Sequence, residues 1–173
     1  MRLLRNSFAI LLGLVFGVAG SRATTTVVFP SFELNRFGSE ELVKLDDFAG
    51  SIVILDFFAY WCVPCRKVSS DLEEYVQKFY TAKGGNAAGF PVQVVSMNIE
   101  QGRAAKTRQY IKQTGMNLVL NDVGGKVYQS LNGRGIPYVV VLTETAGGSH
   151  WKISYSHAGY EGYEKVREVI DSI

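Results

Sequence analysis

The run Ser51-Ile-Val-Ile-Leu-Asp-Phe-Phe58 constrains this chain more than any other segment. Its apolar residues occupy both alternating positions, so a strand built from it is covered on both faces and belongs inside a sheet with helices packed against it. The single acid in the run, Asp56, is then expected to be buried. A carboxylate kept charged and unpaired in such a place costs several kcal/mol, so its pKa should rise. The ordinary alternative is an acid at a strand end, hydrogen-bonded to a turn.

Directly after this strand the period changes. Trp61-Cys62-Val63-Pro64-Cys65 opens a segment in which Val68, Leu72, Tyr75, Val76 and Phe79 fall on one helical face, with Arg66, Lys67, Asp71, Glu73 and Glu74 on the others. The spacing predicts a helix from near Cys62 to just before Gly84-Gly85. At a helix start the unpaired backbone N–H groups and the positive end of the macrodipole stabilise an anion, so Cys62 is expected to ionise more readily than a free cysteine. Two intervening residues in the first turn bring Cys65 within disulfide reach. Pro64 suits the site because its missing N–H would have had no intrahelical partner.

Cys62 and Cys65 are the only cysteines. They cannot staple a disulfide-rich scaffold or fill a four-thiolate zinc site. The only histidines, His150 and His157, are distant and lack finger spacing, so no metal is expected. Arg66 stands where covalent haem attachment needs His. An inert structural disulfide remains the plain alternative to a reactive pair.

Farther along, Pro91 to Ile99 reads as a second buried strand, Gln101 to Thr114 as a polar helix closed by Gly115, Leu118 to Leu120 as a short strand and Lys126 to Leu131 as a short helix. Tyr138 to Thr143 and Trp151 to His157 read as strands joined through Gly147-Gly148. Tyr160 to Ile173 reads as an amphipathic helix with Tyr163, Val166, Val169, Ile170 and Ile173 inward. A short lead-in, Val27 to Leu34, and a polar turn, Asn35 to Ser39, precede the first buried strand. Alternating strands and helices closed by a hairpin make an α/β fold with a mixed sheet.

Met1 to about Ala23 has the layout of a secretory signal: Arg2 and Arg5, an apolar run from Phe8 to Ala19, and the small-x-small site Ser21-Arg22-Ala23. The run is shorter than the roughly 20 residues of a transmembrane span. The expected division is therefore 1–23 as signal peptide or uncleaved amino-terminal anchor, and 24–173 as one domain. The whole chain carries 18 Lys+Arg against 16 Asp+Glu, and without residues 1–23 the balance is 15 against 16. Such a near-neutral domain gives no electrostatic reason to expect nucleic acid as partner. Export implies a compartment where disulfides persist, and the absence of an Asn-x-Ser/Thr sequon suits a periplasm.

Taken together, Phe29-Pro-Ser-Phe-Glu-Leu34, Leu45-Asp-Asp-Phe-Ala-Gly50, Asp56-Phe-Phe-Ala-Tyr-Trp-Cys-Val-Pro-Cys65, the helix Gln101 to Thr114 and Gly135-Ile-Pro-Tyr138 resemble the thioredoxin superfamily, and within it the exported TlpA/ResA-like thiol-disulfide oxidoreductases. The resemblance implies a thioredoxin-like fold, a mixed central β-sheet flanked by helices, with an amino-terminal extension and an extra helix inserted in the central region. It also implies a cis Ile136-Pro137 bond beside the cysteine pair, with the Ile136 backbone pairing to a substrate chain. Residue by residue, Proline 137 itself would otherwise read as ordinary strand entry. Two departures stand out: Val68 occupies a position where many such proteins carry Glu, and Asp56 one where many carry Asn. The proton-handling acid is then Asp56, in the manner of thioredoxin.

The function implied is thiol-disulfide exchange on protein disulfides, in the direction of reduction, with Cys62 attacking, Cys65 resolving and Asp56 taking a proton. Trp61, Ile136 and Pro137 would shape the docking surface, and Val63 and Pro64 would tune the redox chemistry. No cofactor is expected beyond the Cys62-Cys65 disulfide. The expected partners are cysteine-containing exported proteins and a membrane or periplasmic electron donor, with the protein in the periplasm, soluble or anchored to the inner membrane. A rival reading is a redox-sensitive interaction or chaperone module whose contact face is the helix bearing Arg103, Lys106, Arg108 and Lys112. Peroxidase chemistry lacks its Thr three residues before the reactive cysteine: Ala59 and Cys62 occupy those positions.

Overall fold

The computed structural model describes residues 28–29, 31–145 and 150–173. The expected signal segment 1–23 and the Gly147-Gly148 connection lie outside the described residues. Among the described residues eight strands form: β1 (Val28–Phe29), β2 (Glu33–Asn35), β3 (Leu42–Lys44), β4 (Ile52–Phe58), β5 (Val92–Asn98), β6 (Val119–Asn121), β7 (Tyr138–Glu144) and β8 (Trp151–Ala158). The helices are α1 (Val63–Leu72), α2 (Lys78–Lys83), α3 (Ala104–Thr114), α4 (Lys126–Ser130) and α5 (Tyr163–Asp171), with a 3₁₀ turn at Leu45–Phe48 and a π-helical segment, Glu73–Gln77, joining α1 to α2.

Six strands make one mixed sheet in the order β1-β8-β7-β4-β5-β6. The strands β4, β5 and β6 run parallel, while β7 is antiparallel to β4 and β8 to β7. All seven residues of β4 are buried, which is what its unbroken apolar pattern demands. Alternation then sorts the core. Val53, Leu55 and Phe57 point into a cluster with Leu45, Val127, Leu131 and Trp151, whereas Ile52 and Ile54 point into one with Val68, Leu72, Val76, Val166 and Ile170. Asp56 follows the parity of Ile52 and Ile54 and so faces the helix that starts with the cysteines. Among the described residues no helix is long and apolar enough to cross a membrane.

The long helical stretch differs from its sequence reading in one instructive way. The buried apolar residues beyond Cys65 are Val68, Leu72, Val76 and Tyr80, each four apart, while Tyr75 is 44% exposed and Phe79 is only half-buried. In an α-helix a four-residue step advances the side chain by about 40°, so four such residues would drift off the contact face. The wider π segment absorbs the drift and keeps the i+4 row against the sheet. Tyr75 turns outward and stacks on Tyr163 at 4.4 Å. Gly84 then ends α2 at φ +79°, a conformation a β-carbon would disfavour.

Other boundaries shift slightly. The polar helix begins at Ala104 rather than Gln101, and the last helix at Tyr163 rather than Tyr160. In that helix Val166 and Ile170 are buried, with Tyr163, Val169 and Ile173 packed at the margin of the cluster. The lead-in resolves into β1, paired with β8, and a small β2–β3 hairpin. The Leu42–Lys44 strand is only three residues long and was not foreseen. One buried acid organises the approach to Pro137. Asp122 is fully buried and accepts the N–H groups of Val127 at 3.0 Å and Tyr128 at 2.9 Å, capping α4. At the far end of α4 the Tyr138 hydroxyl donates to the Leu131 carbonyl at 2.7 Å, closing the segment that carries Pro137. Asp122→Ala is expected to lower stability by about 1–2 kcal/mol in urea unfolding; an unchanged midpoint would show that the cap contributes nothing.

Candidate active site

The chain leaves β4 at Phe58, turns through Ala59-Tyr60-Trp61 and enters α1. Cys62 is the N-cap: its Sγ accepts the Cys65 backbone N–H at 3.3 Å, satisfying one of the orphan donors of the first turn. Pro64 sits in that turn, where no N–H is required. Cys62 and Cys65 are joined in a disulfide with a Cα–Cα distance of 5.3 Å, inside the usual range for such bonds. Cys62 is 4% exposed and Cys65 is fully buried. A nucleophile approaching from outside therefore meets Cys62 first.

Asp56, near the end of β4 and six residues before Cys62, is fully buried. Ser69 lies one helical turn beyond Cys65 on the same face of α1, and its hydroxyl donates to Asp56 Oδ2 at 2.7 Å. That bond fixes the carboxyl on the Cys65 side of the helix. Among the described residues Asp56 Oδ1 has no hydrogen-bond partner. Burial pushes the Asp56 carboxyl up to about 7, with the Ser69 hydroxyl pulling the other way. The strand-end alternative, an acid bonded to a turn, does not describe this residue.

The structure brings Cys62, Cys65 and Ile136 into one apolar cluster with Phe58, Ala59 and Tyr110. The Ile136-Pro137 bond is cis, and Pro137 is buried with its carbonyl accepting the Gly159 N–H at 2.8 Å. Trp61 and Val63 are 57% and 75% exposed, so two apolar side chains flank the pair on the surface. Val68 is fully buried in the sheet-facing core.

Three residues of this site carried no signal in the sequence reading. Ser69 bonds Asp56 across 13 positions. Glu100 accepts the Trp61 indole N–H at 2.7 Å. Tyr110 of α3 stacks on Phe58 with ring centres 5.0 Å apart, and its buried hydroxyl has no hydrogen-bond partner among the described residues. Burial raises the pKa of that hydroxyl, keeping it protonated. The i+4 spacing of Ser69 from Cys65 could have indicated the first; the other two depend on contacts far apart in sequence.

A thioredoxin-like family, Thioredoxin_8, matches residues 50–147, more than half of the chain. The chain belongs to the thioredoxin-like family. Its fold is that of the thiol-disulfide oxidoreductases, and its cysteine pair lies within the matched residues. Among curated proteins, NHL repeat-containing protein 2 of Bos taurus is 32% identical over 116 residues, which is 63% of this chain and 15% of that protein. The chain thus spans a small part of that relative. A provisionally assigned thiol:disulfide interchange protein DsbE from Chlorobium tepidum is similar in structure, with TM-score 0.65 and 27% identity over 83% of this chain and 92% of that one. A secreted thiol-disulfide isomerase from Corynebacterium glutamicum shares the fold at TM-score 0.66 and 18% identity, covering 92% of this chain and 98% of its own.

A carboxyl whose folded-state pKa lies above its unfolded value of about 3.9 binds its proton more tightly in the native state. Its contribution to stability therefore falls as pH rises from about 4 to about 7. Asp56→Asn preserves the shape and removes the ionisation. The oxidised variant is expected to gain on wild type over that interval, reaching about 2–4 kcal/mol in urea unfolding at pH 8. A difference that stays constant from pH 4 to pH 8 contradicts a buried, titrating Asp56.

Proposed function

We propose that this protein reduces disulfides in polypeptide substrates by thiol-disulfide exchange. The observation that carries the reading is the cysteine pair at the start of α1, with a slightly exposed Cys62 at the N-cap, a fully buried Cys65 in the same turn, and the buried Asp56 bonded to Ser69 one turn farther along that helix. In the reduced protein, Cys62 thiolate attacks one sulfur of the substrate disulfide. That S–S bond breaks, a Cys62–substrate disulfide forms, and the departing substrate sulfur takes up a proton. Cys65 then loses its proton toward Asp56 and attacks Cys62 Sγ. The second substrate thiol is released and the Cys62–Cys65 disulfide forms, so two electrons pass from protein to substrate.

The site supplies what each step needs. Backbone N–H groups of the first turn favour the Cys62 thiolate. A carboxyl near 7 can accept a proton at neutral pH and hand it on. Trp61 and Val63 provide apolar surface against which a substrate chain can lie, and the Ile136 backbone is the edge to which it would pair. Val63 and Pro64, inside the disulfide loop, are the positions through which the potential would be tuned. The disulfide itself is the only redox group this chemistry requires.

The signal-like residues 1–23 and the secreted Corynebacterium relative support an exported, periplasmic location, with the segment cleaved or kept as an anchor. The substrates are then cysteine-containing exported proteins, and re-reduction comes from a dithiol donor in or at the membrane. In an insulin-precipitation assay with dithiothreitol, wild type is expected to accelerate turbidity at least tenfold over Cys62→Ser. Equal rates would contradict the enzyme reading and favour a cysteine pair that only switches a binding surface.

A further inference from the structure

Beside the disulfide, α1 and α3 leave an open hollow of about 280 Å³, bordered by Tyr60, Trp61, Arg66, Lys106 and Tyr110. It is slightly smaller than a typical small-molecule pocket and is open to solvent, a shape suited to side chains of a chain lying across the surface. Its charge is one-sided. The Arg66 guanidinium lies 5.3 Å from the centre of the Tyr110 ring and bonds only the Gln113 amide oxygen, and the Lys106 ammonium lies 5.3 Å from the centre of the Tyr60 ring. Neither cation has an acidic partner among the described residues, although six other ion pairs are present. Glu100 lines a neighbouring hollow and is held at the edge of this one by the Trp61 indole N–H at 2.7 Å, without pairing with either cation, and α3 itself contains no Asp or Glu.

Aromatic faces hold both cations at defined places while leaving their N–H groups for another acceptor. A rigid guanidinium and a nearby ammonium suit carboxylates, which accept such bonds strongly. We propose that this hollow is a specificity subsite for acidic side chains next to the target disulfide, so that polypeptides with Asp or Glu flanking a cysteine are the preferred substrates. The proposal rests on the exchange reaction above and concerns only which disulfides it selects. The near-zero net charge of the domain supplies no overall attraction for acidic substrates, which leaves the local charge of the hollow to select them.

The test uses two cyclic disulfide peptides, identical except that two residues beside one cysteine are Glu in one and Gln in the other. Their reduction by pre-reduced full-length protein is followed by chromatography. Wild type is expected to reduce the Glu peptide about five- to tenfold faster at low salt, with the ratio shrinking toward one in about 0.5 M NaCl. Lys106→Gln should lower the ratio and Arg66→Gln/Lys106→Gln should bring it to about one. Lys112→Gln, on the same helix but not lining the hollow, should retain it. A wild-type ratio near one, or a ratio unchanged in the double variant, overturns the subsite while leaving the exchange reaction standing. Failure to reduce either peptide overturns both.

Discussion

A single 2.7 Å hydrogen bond, from Ser69 on α1 to Asp56 on β4, ties the helix that carries the cysteines to the central strand of the sheet. Everything at the site depends on that junction. The strand is buried on both faces, so the acid it carries has little solvent to stabilise its charge. The helix begins where the strand ends, so its unpaired N–H groups collect around Cys62. One element thus raises the proton affinity of a carboxyl while the next favours a sulfur anion. These opposite demands are met within ten residues of chain because a parallel strand must feed a helix that packs back over the sheet.

Much of this was legible because the signals are local. A seven-residue run, apolar but for one acid, specifies a central strand and a buried carboxyl, and a cysteine pair at a change of period specifies a helix start. The residues that complete the site were not legible for an equally physical reason. Glu100, just past β5, reaches Trp61 only once β5 has paired with β4, and Tyr110 reaches Phe58 only once α3 has folded back beside α1. An α-helical period puts Tyr75 on the inward row, but the π segment turns it outward and keeps the apolar residues Val68, Leu72, Val76 and Tyr80 inward at a spacing of four. Residue-level reading of Pro137 suggested plain strand entry; only the family resemblance pointed to the cis bond that the chain contains.

The surface around the disulfide joins two kinds of contact. Trp61 and Val63 offer exposed apolar area, and Arg66 and Lys106, each against an aromatic ring, add unpaired positive charge on the α3 side. The extra helix thus does more than cover the core. It supplies Tyr110 to the cluster around the cysteines and lines the approach to Cys62. Apolar contact provides affinity with little discrimination, whereas the fixed cations discriminate among polypeptides that carry the same disulfide.

The account stands on the two sulfurs having unequal roles, Cys62 meeting substrate and Cys65 resolving. The direct measurement compares single-cysteine variants, Cys65→Ser and Cys62→Ser, reacting with oxidised glutathione, with adducts quantified by intact-mass spectrometry. Cys62 in the first variant is expected to form its mixed disulfide at least tenfold faster than Cys65 in the second. Equal rates, or a faster Cys65, would contradict the assignment.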